Sequence, residues 1–139
     1  MAVMQMRDIL FRGKRIDNGK WVYGAYQPTV EWGGRKWDVS IASATEYGWL
    51  EDILVIPETV GQYTGLTDKN GRGIFEGDII KRFWLGAEII YCVQYDSGNA
   101  RFIGKAMNKR GFTTIDNDGE MFEIIGNIHD NPELLEDAE

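Results

Sequence analysis

The sequence is poor in the residues that build disulfides, metal sites and common catalytic centres. Its 139 residues include one cysteine, Cys92, one histidine, His129, and three prolines. A single cysteine cannot form an internal disulfide, and within the apolar run at 89–93 it is typical of a small core residue. No apolar stretch approaches the roughly 20 residues that a membrane-spanning helix needs, and the first residues lack the apolar core of a signal peptide. We therefore expect a soluble, cytoplasmic protein that folds without disulfides.

Recognisable catalytic motifs are also missing. A Cys–His pair would require Cys92 to be exposed and close to His129 in the fold. We interpret His129 instead as part of the corner between the last strand and a short helix. No serine stands in a Gly-x-Ser-x-Gly setting, and the serines are Ser40, Ser43 and Ser97.

The glycine-rich and acid-rich segments do not fit known ligand loops. The glycines at 71–77 have three residues where a dinucleotide fingerprint needs two, and the segment at 98–105 is one residue too long for a phosphate loop. The segment at 68–73 begins like a calcium loop, but Arg72 places a cation at a ligand position. The acid pair Glu76 and Asp78 is typical of side chains that hold backbone amides at a turn. We therefore predict no catalytic residue, no cofactor and no metal ligand, and we expect that the protein is not an enzyme.

Charge is distributed unevenly along the chain. Residues 1–36 carry seven basic and three acidic side chains, whereas residues 111–139 carry nine acidic and no basic ones, within a net charge of -7. Opposite potentials at the two ends can steer a partner or bring two copies together head to tail. The alternative is a solvated acidic tail that only aids solubility.

Short runs of β-branched and aromatic residues between glycine, asparagine and aspartate predict a mainly β protein. No window of a dozen residues keeps helical periodicity. The clearest hairpin is centred on the glycine pair at 33–34, which can supply the positive φ angles of a two-residue turn. This register places Trp32 opposite Arg35 and Glu31 opposite Lys36, and we expect a cation–π contact and an ion pair across it.

The second half of the sequence predicts further strands. We expect a meander of three strands at 78–84, 87–95 and 100–103. In its middle strand, period-two alternation assigns one face to the core, and the residues of that face are Ile89, Tyr91, Val93 and Tyr95. A strand, a turn and another strand are expected at 111–115, 116–119 and 120–128. A short helix is predicted after Asn131, which can cap free amide groups, with Pro132 at the first helical position.

Together these strands predict a C-terminal SH3-like small barrel with an N-terminal β-hairpin-rich segment and a short C-terminal helix. About five short strands follow residue 59, joined by tight turns and by one long, polar connection at 65–77. An OB-like or an open meander arrangement is the alternative. We expect two parts, an N-terminal β-rich segment at 1–58 packed on a barrel at 59–139.

Four segments of the sequence resemble the YopX family, in the same order along nearly the whole chain. They lie at 11–24, 56–71, 74–80 and 125–135, and they include the run Ile-Pro-Glu-Thr-Val-Gly-Gln-Tyr-Thr-Gly-Leu-Thr that begins at Ile56. The resemblance implies a bacteriophage or prophage origin, a location in the host bacterial cytoplasm and an SH3-type barrel in the C-terminal part. It implies no activity that could be carried over. It also implies that translation can begin at Met6.

The tryptophans suggest how the protein acts. Trp21, Trp32, Trp37 and Trp49 lie within 29 residues, on predicted hairpins with polar tips. Because Trp and Arg carry much of the binding energy of protein interfaces, Trp32, Arg35 and Trp37 form a candidate interaction surface. The alternative is that these rings belong to the core.

We therefore hypothesise a non-catalytic protein-interaction module, whose partner is a host or phage protein or a second copy of the chain. The alternative is a nucleic-acid-binding small β-barrel protein, because residues 7–20 are basic and include or adjoin Phe11 and Trp21. The net charge of -7 opposes that alternative, since phosphate contacts supply most of the affinity for nucleic acid. An enzyme of unknown class is a third hypothesis, and no membrane contact is expected.

Overall fold

The structure, a computed structural model, describes residues 8–107, 111–115 and 121–136. Two predicted features, the start at Met6 and the turn at 116–119, lie outside these residues. The chain is mainly β, as the sequence predicts. Its strands are β1 (Phe11–Lys14), β2 (Trp21–Gln27), β3 (Val30–Trp32), β4 (Arg35–Trp37), β5 (Ser40–Ala44), β6 (Leu50–Leu54), β7 (Gly61–Thr67), β8 (Gly73–Phe75), β9 (Asp78–Trp84), β10 (Ala87–Asp96), β11 (Arg101–Ala106), β12 (Phe112–Thr114) and β13 (Glu123–Asn127). A 3-10 turn, Pro57–Thr59, precedes β7, and the short helix α1 (Glu133–Glu136) lies where a C-terminal helix was predicted.

The chain divides into two compact units, residues 1–63 and 64–139. Each unit has a hydrophobic cluster of its own, and β7 runs across the division. The sequence predicts a different division of the chain, into an N-terminal segment at 1–58 and a barrel at 59–139. That division into domains stays a prediction.

The first unit contains an antiparallel sheet with the strand order β6-β5-β2-β1-β7, and β3 and β4 pair with each other in a separate hairpin. Its buried cluster comes from β2, β5 and the segments that flank β5 and β6, and it consists of Val22, Val39, Ile41 and Val55. Gly24 of β2 lies against β5 so closely that a Cβ atom there would overlap the carbonyl oxygen of Ala42. The absence of a side chain at Gly24 is therefore a condition for the β2–β5 pairing.

The second unit contains the sheet β12-β11-β10-β9-β13. The predicted meander is confirmed, since β9, β10 and β11 pair in sequence with β10 in the middle. Tyr91 and Val93 are buried and Ile89 packs against them, but Tyr95 is exposed because it lies at the end of the strand beyond the core. Phe122 completes this core and meets the Tyr91 ring edge-on at 6.0 Å.

The SH3-like barrel is not confirmed. β12 and β13, which the sequence places on either side of one turn, lie at opposite edges of the five-stranded sheet, and no pairing between described residues closes it. The predicted long connection at 65–77 is wrong, because it contains the end of β7 and the whole of β8. A turn at 68–72 joins these two strands.

The Asp68 carboxylate organises that turn. It is 2% exposed, and its Oδ1 accepts hydrogen bonds from the backbone N–H groups of Asn70 and Arg72, both at 2.9 Å. Its Oδ2 accepts the N–H of Ile124 in β13 at 3.0 Å. Burial by itself raises the pKa of Asp68, but the three amides outweigh it and the pKa lies below its ordinary value. Asp68, the first residue of the segment that resembles a calcium loop, thus binds backbone amides.

Asp78 plays the same part at the next turn, as the sequence predicts for this acid. Its buried Oδ2 accepts the N–H of Phe75 at 2.7 Å.

The corner after β13 is built differently from the prediction. The Asn131 Oδ1 accepts the N–H of Asn127 at 3.2 Å, pointing back to the strand, while Asn127 Oδ1 accepts the N–H groups of His129 and Asp130. The side chains of Asn127 and Asn131 therefore stabilise the corner, and His129 lies within it as predicted.

Replacement of Asp68 by Asn should lower the free energy of unfolding by about 1–3 kcal/mol, because the amide leaves buried N–H groups poorly satisfied. The wild-type contribution is present above the unfolded pKa near ~3.9 and is lost as the pH falls through the lower folded value. Chemical denaturation of both proteins between about pH 7 and pH 3 measures this. Their stability difference should shrink toward low pH, whereas Asp38→Asn, at an exposed carboxylate, should change little; a constant difference would contradict the assignment.

Gly24→Ala should destabilise the first unit by about 1–3 kcal/mol, since the new methyl group overlaps the backbone of Ala42. Gly98→Ala is the matched control. A Cβ at Gly98 meets only the Asp96 carboxylate at 3.5 Å, so its stability should stay within about 0.5 kcal/mol of wild type. Thermal melts of the three proteins compare them, and equal melting temperatures for both variants would refute the close approach.

Candidate interaction surface

The β3–β4 hairpin carries the predicted site residues Trp32, Arg35 and Trp37, here called the hairpin surface. Its register is the predicted one, with Trp32 paired to Arg35 and Glu31 to Lys36. The turn residues Gly33 and Gly34 have φ angles of 60° and 76°, as a two-residue turn of the primed type requires.

All six residues of β3 and β4 are exposed. Trp32 is 77% exposed and Trp37 is 48% exposed, so neither ring forms part of the buried clusters. The two expected cross-strand interactions are not formed. Among the described residues, no cation–π contact joins Trp32 to Arg35, and no ion pair joins Glu31 to Lys36. The residues of each pair lie opposite one another in the strand register, but their side chains are exposed to solvent.

A groove of about 460 Å³ lies beside the hairpin. Trp37 and Val30 contribute one wall, and Tyr26 and Leu54 contribute apolar surface from β2 and β6. The Ser40 hydroxyl donates to the side-chain oxygen of Gln27 at 3.1 Å, and both residues line the groove. Two carboxylates, Asp38 and Asp52, are the charged groups of the described chain that line it, and none of the described Lys or Arg residues does. We call this the acidic groove.

The groove was not predicted from the sequence. Its walls come from β2, the hairpin, β5 and β6, which are separate segments, so no local motif marks it. Only the clustering of tryptophans between residues 21 and 49 pointed to this part of the chain.

The other two tryptophans of that cluster line a second concavity of about 620 Å³. Trp49 stacks on Tyr47 with ring centroids 5.5 Å apart. Trp21 is half-buried, with the Arg12 guanidinium 4.6 Å and the Lys14 ammonium 5.5 Å from its ring centroid. Two of the cations in the basic N-terminal stretch thus lie over an indole ring.

The described part of the basic stretch, residues 8–20, presents less free charge than its sequence suggests. Arg12 is only 7% exposed, and Arg15 forms an ion pair with Asp17 at 2.7 Å. The hydrogen bond from Arg15 lowers the pKa of the Asp17 carboxyl. Phosphate binding needs exposed, uncompensated cations, and these two arginines do not supply them.

Cys92 lies in an environment that disfavours a nucleophilic thiolate. Burial raises the pKa of the Cys92 thiol above its ordinary value, whereas a nucleophilic cysteine needs a lowered one. Cys92 is buried in β10, which agrees with its prediction as a small core residue. Among the described residues, no group of His, Cys, Asp and Glu side chains could hold a metal ion. The same residues contain no helix with the length and apolar character needed to cross a membrane.

The chain is similar to one protein family and to a solved structure. The family model described as YopX protein matches residues 10–136. No curated protein matches the chain. Among solved structures, the chain is similar to the crystal structure of protein EF1440 from Enterococcus faecalis, with 23% sequence identity and a TM-score of 0.47. That alignment covers 94% of this chain and 99% of the other.

Cys92 in the folded protein should react with a thiol reagent such as 5,5′-dithiobis(2-nitrobenzoate) roughly 100-fold more slowly than in denaturant at the same pH. The physical reason is that burial both blocks access and disfavours the thiolate. Absorbance of the released thiolate follows the reaction, and the denatured chain is the control. Rapid labelling of the folded protein would show an accessible thiolate and would restore the Cys–His hypothesis.

Proposed function

The chain belongs to the YopX protein family, and within that family we propose that it is a phage- or prophage-derived, non-catalytic protein-interaction module of the bacterial cytoplasm. The hairpin surface, Trp32, Arg35 and Trp37, is its docking site. The partner is a host or phage protein. The observation that carries the proposal is that Trp32 is 77% exposed on a hairpin whose six strand residues are all exposed.

The hairpin supports this role because the core does not account for its aromatic side chains. A buried ring stabilises the fold by removing its own area from water, and Trp32 leaves most of its area in water. Large exposed apolar patches mark interaction sites, and Trp with Arg is the combination enriched among the residues that dominate binding energy. The acidic groove beside Trp37 extends the same surface.

Nucleic acid is the weaker alternative. The net charge is -7, Arg12 is buried, and Arg15 is paired with Asp17. Steep salt dependence of binding would be the mark of this alternative, because each phosphate contact releases counterions.

We retain the SH3-like barrel as a proposal for residues 59–139. It is supported by the antiparallel order β12-β11-β10-β9-β13, in which pairing of the two edge strands would complete a small barrel. An experimental structure that leaves both edges unpaired would replace the barrel with an open meander.

Trp32→Ala should reduce retention of the protein partner by about tenfold or more, since a tryptophan that dominates an interface contributes about 2 kcal/mol or more and each 1.4 kcal/mol is tenfold in affinity. The full chain is immobilised and exposed to nuclease-treated lysate of a bacterium that carries the phage, and retained proteins are quantified by mass spectrometry. Phe83→Ala is the matched control, because Phe83 is an aromatic residue of the second unit that is 67% exposed. Thermal melts check that both variants stay folded.

A protein retained equally by wild type, Trp32→Ala and Phe83→Ala would contradict the hairpin as the docking site. Material that is retained without nuclease, lost with nuclease and released by modest salt would instead identify a nucleic-acid ligand.

A further inference from the structure

Strand β6 is the open edge of the first sheet. It ends the strand order β6-β5-β2-β1-β7, and within the described part of the chain β5 is the strand that pairs with it. The backbone N–H of Val55, just beyond β6, donates to Val39 at 3.3 Å on the β5 side. Because alternate residues of a strand point their backbone groups to opposite sides, those of Leu50 and Asp52 point away from β5. This side of β6 therefore offers donors and acceptors to an added strand.

The chain itself shows how such a strand is received. Beyond the end of β6, Ile16 donates its N–H to the carbonyl of Leu54 at 3.1 Å, and Ile56 donates to the carbonyl of Lys14 at 2.8 Å. Arg15 and Val55 form an antiparallel bridge there. The edge is thus occupied as far as Leu54 and open over Leu50 and Asp52. A concavity of about 280 Å³ lies along this part and includes Ile16, Glu51 and Asp52 in its lining.

The same strand also borders the acidic groove. Asp52 and Leu54 line both the concavity at the edge and the groove beside Trp37. A strand added to β6 would place alternate side chains on the two faces of the sheet, so one set would lie over the groove side with Leu54 and Trp37. Main-chain hydrogen bonds would supply affinity, and the groove would select side chains, as in other strand-addition complexes.

The charged residues of the groove and the edge indicate what kind of partner segment binds there. Asp38 and Asp52 are the charged groups that line the groove, Glu51 stands at the edge, and Arg15, the cation at the edge concavity, is paired with Asp17. A segment with Lys or Arg between apolar residues complements this surface. A second copy of β6 does not, because it would bring Glu51 and Asp52 against the same acids, and like charges across paired strands are destabilising.

We propose that β6 receives an extended segment of another protein, in which apolar residues alternate with Lys or Arg, as an added strand whose basic side chains lie over the acidic groove beside Asp38 and Asp52. The inference rests on the proposed function, since it names the kind of partner segment that binds beside the hairpin surface. The acids at this edge then have two effects, attracting the basic segment and keeping copies of the chain apart.

The test uses a library of random linear peptides of about nine residues, displayed on yeast and sorted against the full, fluorescently labelled chain. We expect the retained peptides to alternate apolar residues with Lys or Arg. A selected peptide is then synthesised, and its dissociation constant is measured by fluorescence anisotropy with wild-type and variant proteins. Failure to select any peptide, or selection of peptides without basic residues, would overturn the proposal.

Asp52→Pro removes the N–H that points away from β5, which is the position where an edge strand tolerates proline. It should weaken the selected peptide at least tenfold. Asp52→Lys keeps the backbone donor and reverses the charge, so it tests the same site if the proline variant fails to melt cooperatively, and it should also weaken binding at least tenfold. Asp52→Asn should fall between wild type and Asp52→Lys. Binding to both Asp52→Pro and Asp52→Lys within twofold of wild type would overturn strand addition at β6.

These measurements distinguish failure of strand addition at β6 from failure of the hairpin surface as the docking site. If Trp32→Ala loses the lysate protein while Asp52→Lys retains it, the hairpin surface stands as the docking site and strand addition fails. If Asp52→Lys loses both the peptide and the lysate protein while Trp32→Ala retains both, the partner binds at β6 and the hairpin surface fails.

Discussion

The buried carboxylate of Asp68 is the interaction on which the second unit depends. It joins a turn at 68–72 to β13, more than fifty residues later in the chain, through hydrogen bonds to three backbone N–H groups. A protein that is mainly strand has to satisfy its backbone groups wherever a ladder ends. Asp68 and Asp78 do this with their side-chain oxygens, and the lowered pKa of Asp68 makes its bonds stronger than those between neutral groups. The polar turns between strands therefore stabilise the fold together with the apolar core.

The two units use their aromatic residues differently. In the second unit, Phe122 and Tyr91 are buried, and the Arg82 guanidinium lies 5.0–5.7 Å from the rings of Trp84, Tyr91 and Phe122. The cation and the rings there satisfy one another within the unit. In the first unit, Trp32, Trp37 and Trp49 leave about half or more of their surface in water. Phe83 and Phe112 of the second unit are exposed as well, so the difference is that the second unit also buries aromatic residues in its core.

The hairpin surface and the open edge of β6 offer two kinds of contact in one region. Trp37 and Leu54 both line the acidic groove, so an apolar anchor and a row of backbone donors and acceptors are close together. Exposed strand edges invite unwanted pairing, and charges on the edge are a common protection. At β6 the protecting residues are acids, and a basic partner segment turns the same protection into recognition.

Local sequence patterns determined much of this protein. Gly33 and Gly34 set the hairpin turn and with it the exact pairing of Trp32 with Arg35, because only a two-residue turn with positive φ angles fits between those strands. The alternation in β10 identified Tyr91 and Val93 as core. What the tertiary structure alone decided are relations between distant segments: the bond from Asp68 to Ile124, the separation of β12 from β13, and the groove formed by four segments around Trp37. Short-range periodicity specifies which face of a strand is apolar, but the choice of neighbouring strand depends on long-range packing, and that choice fixed both the open sheets and the candidate site.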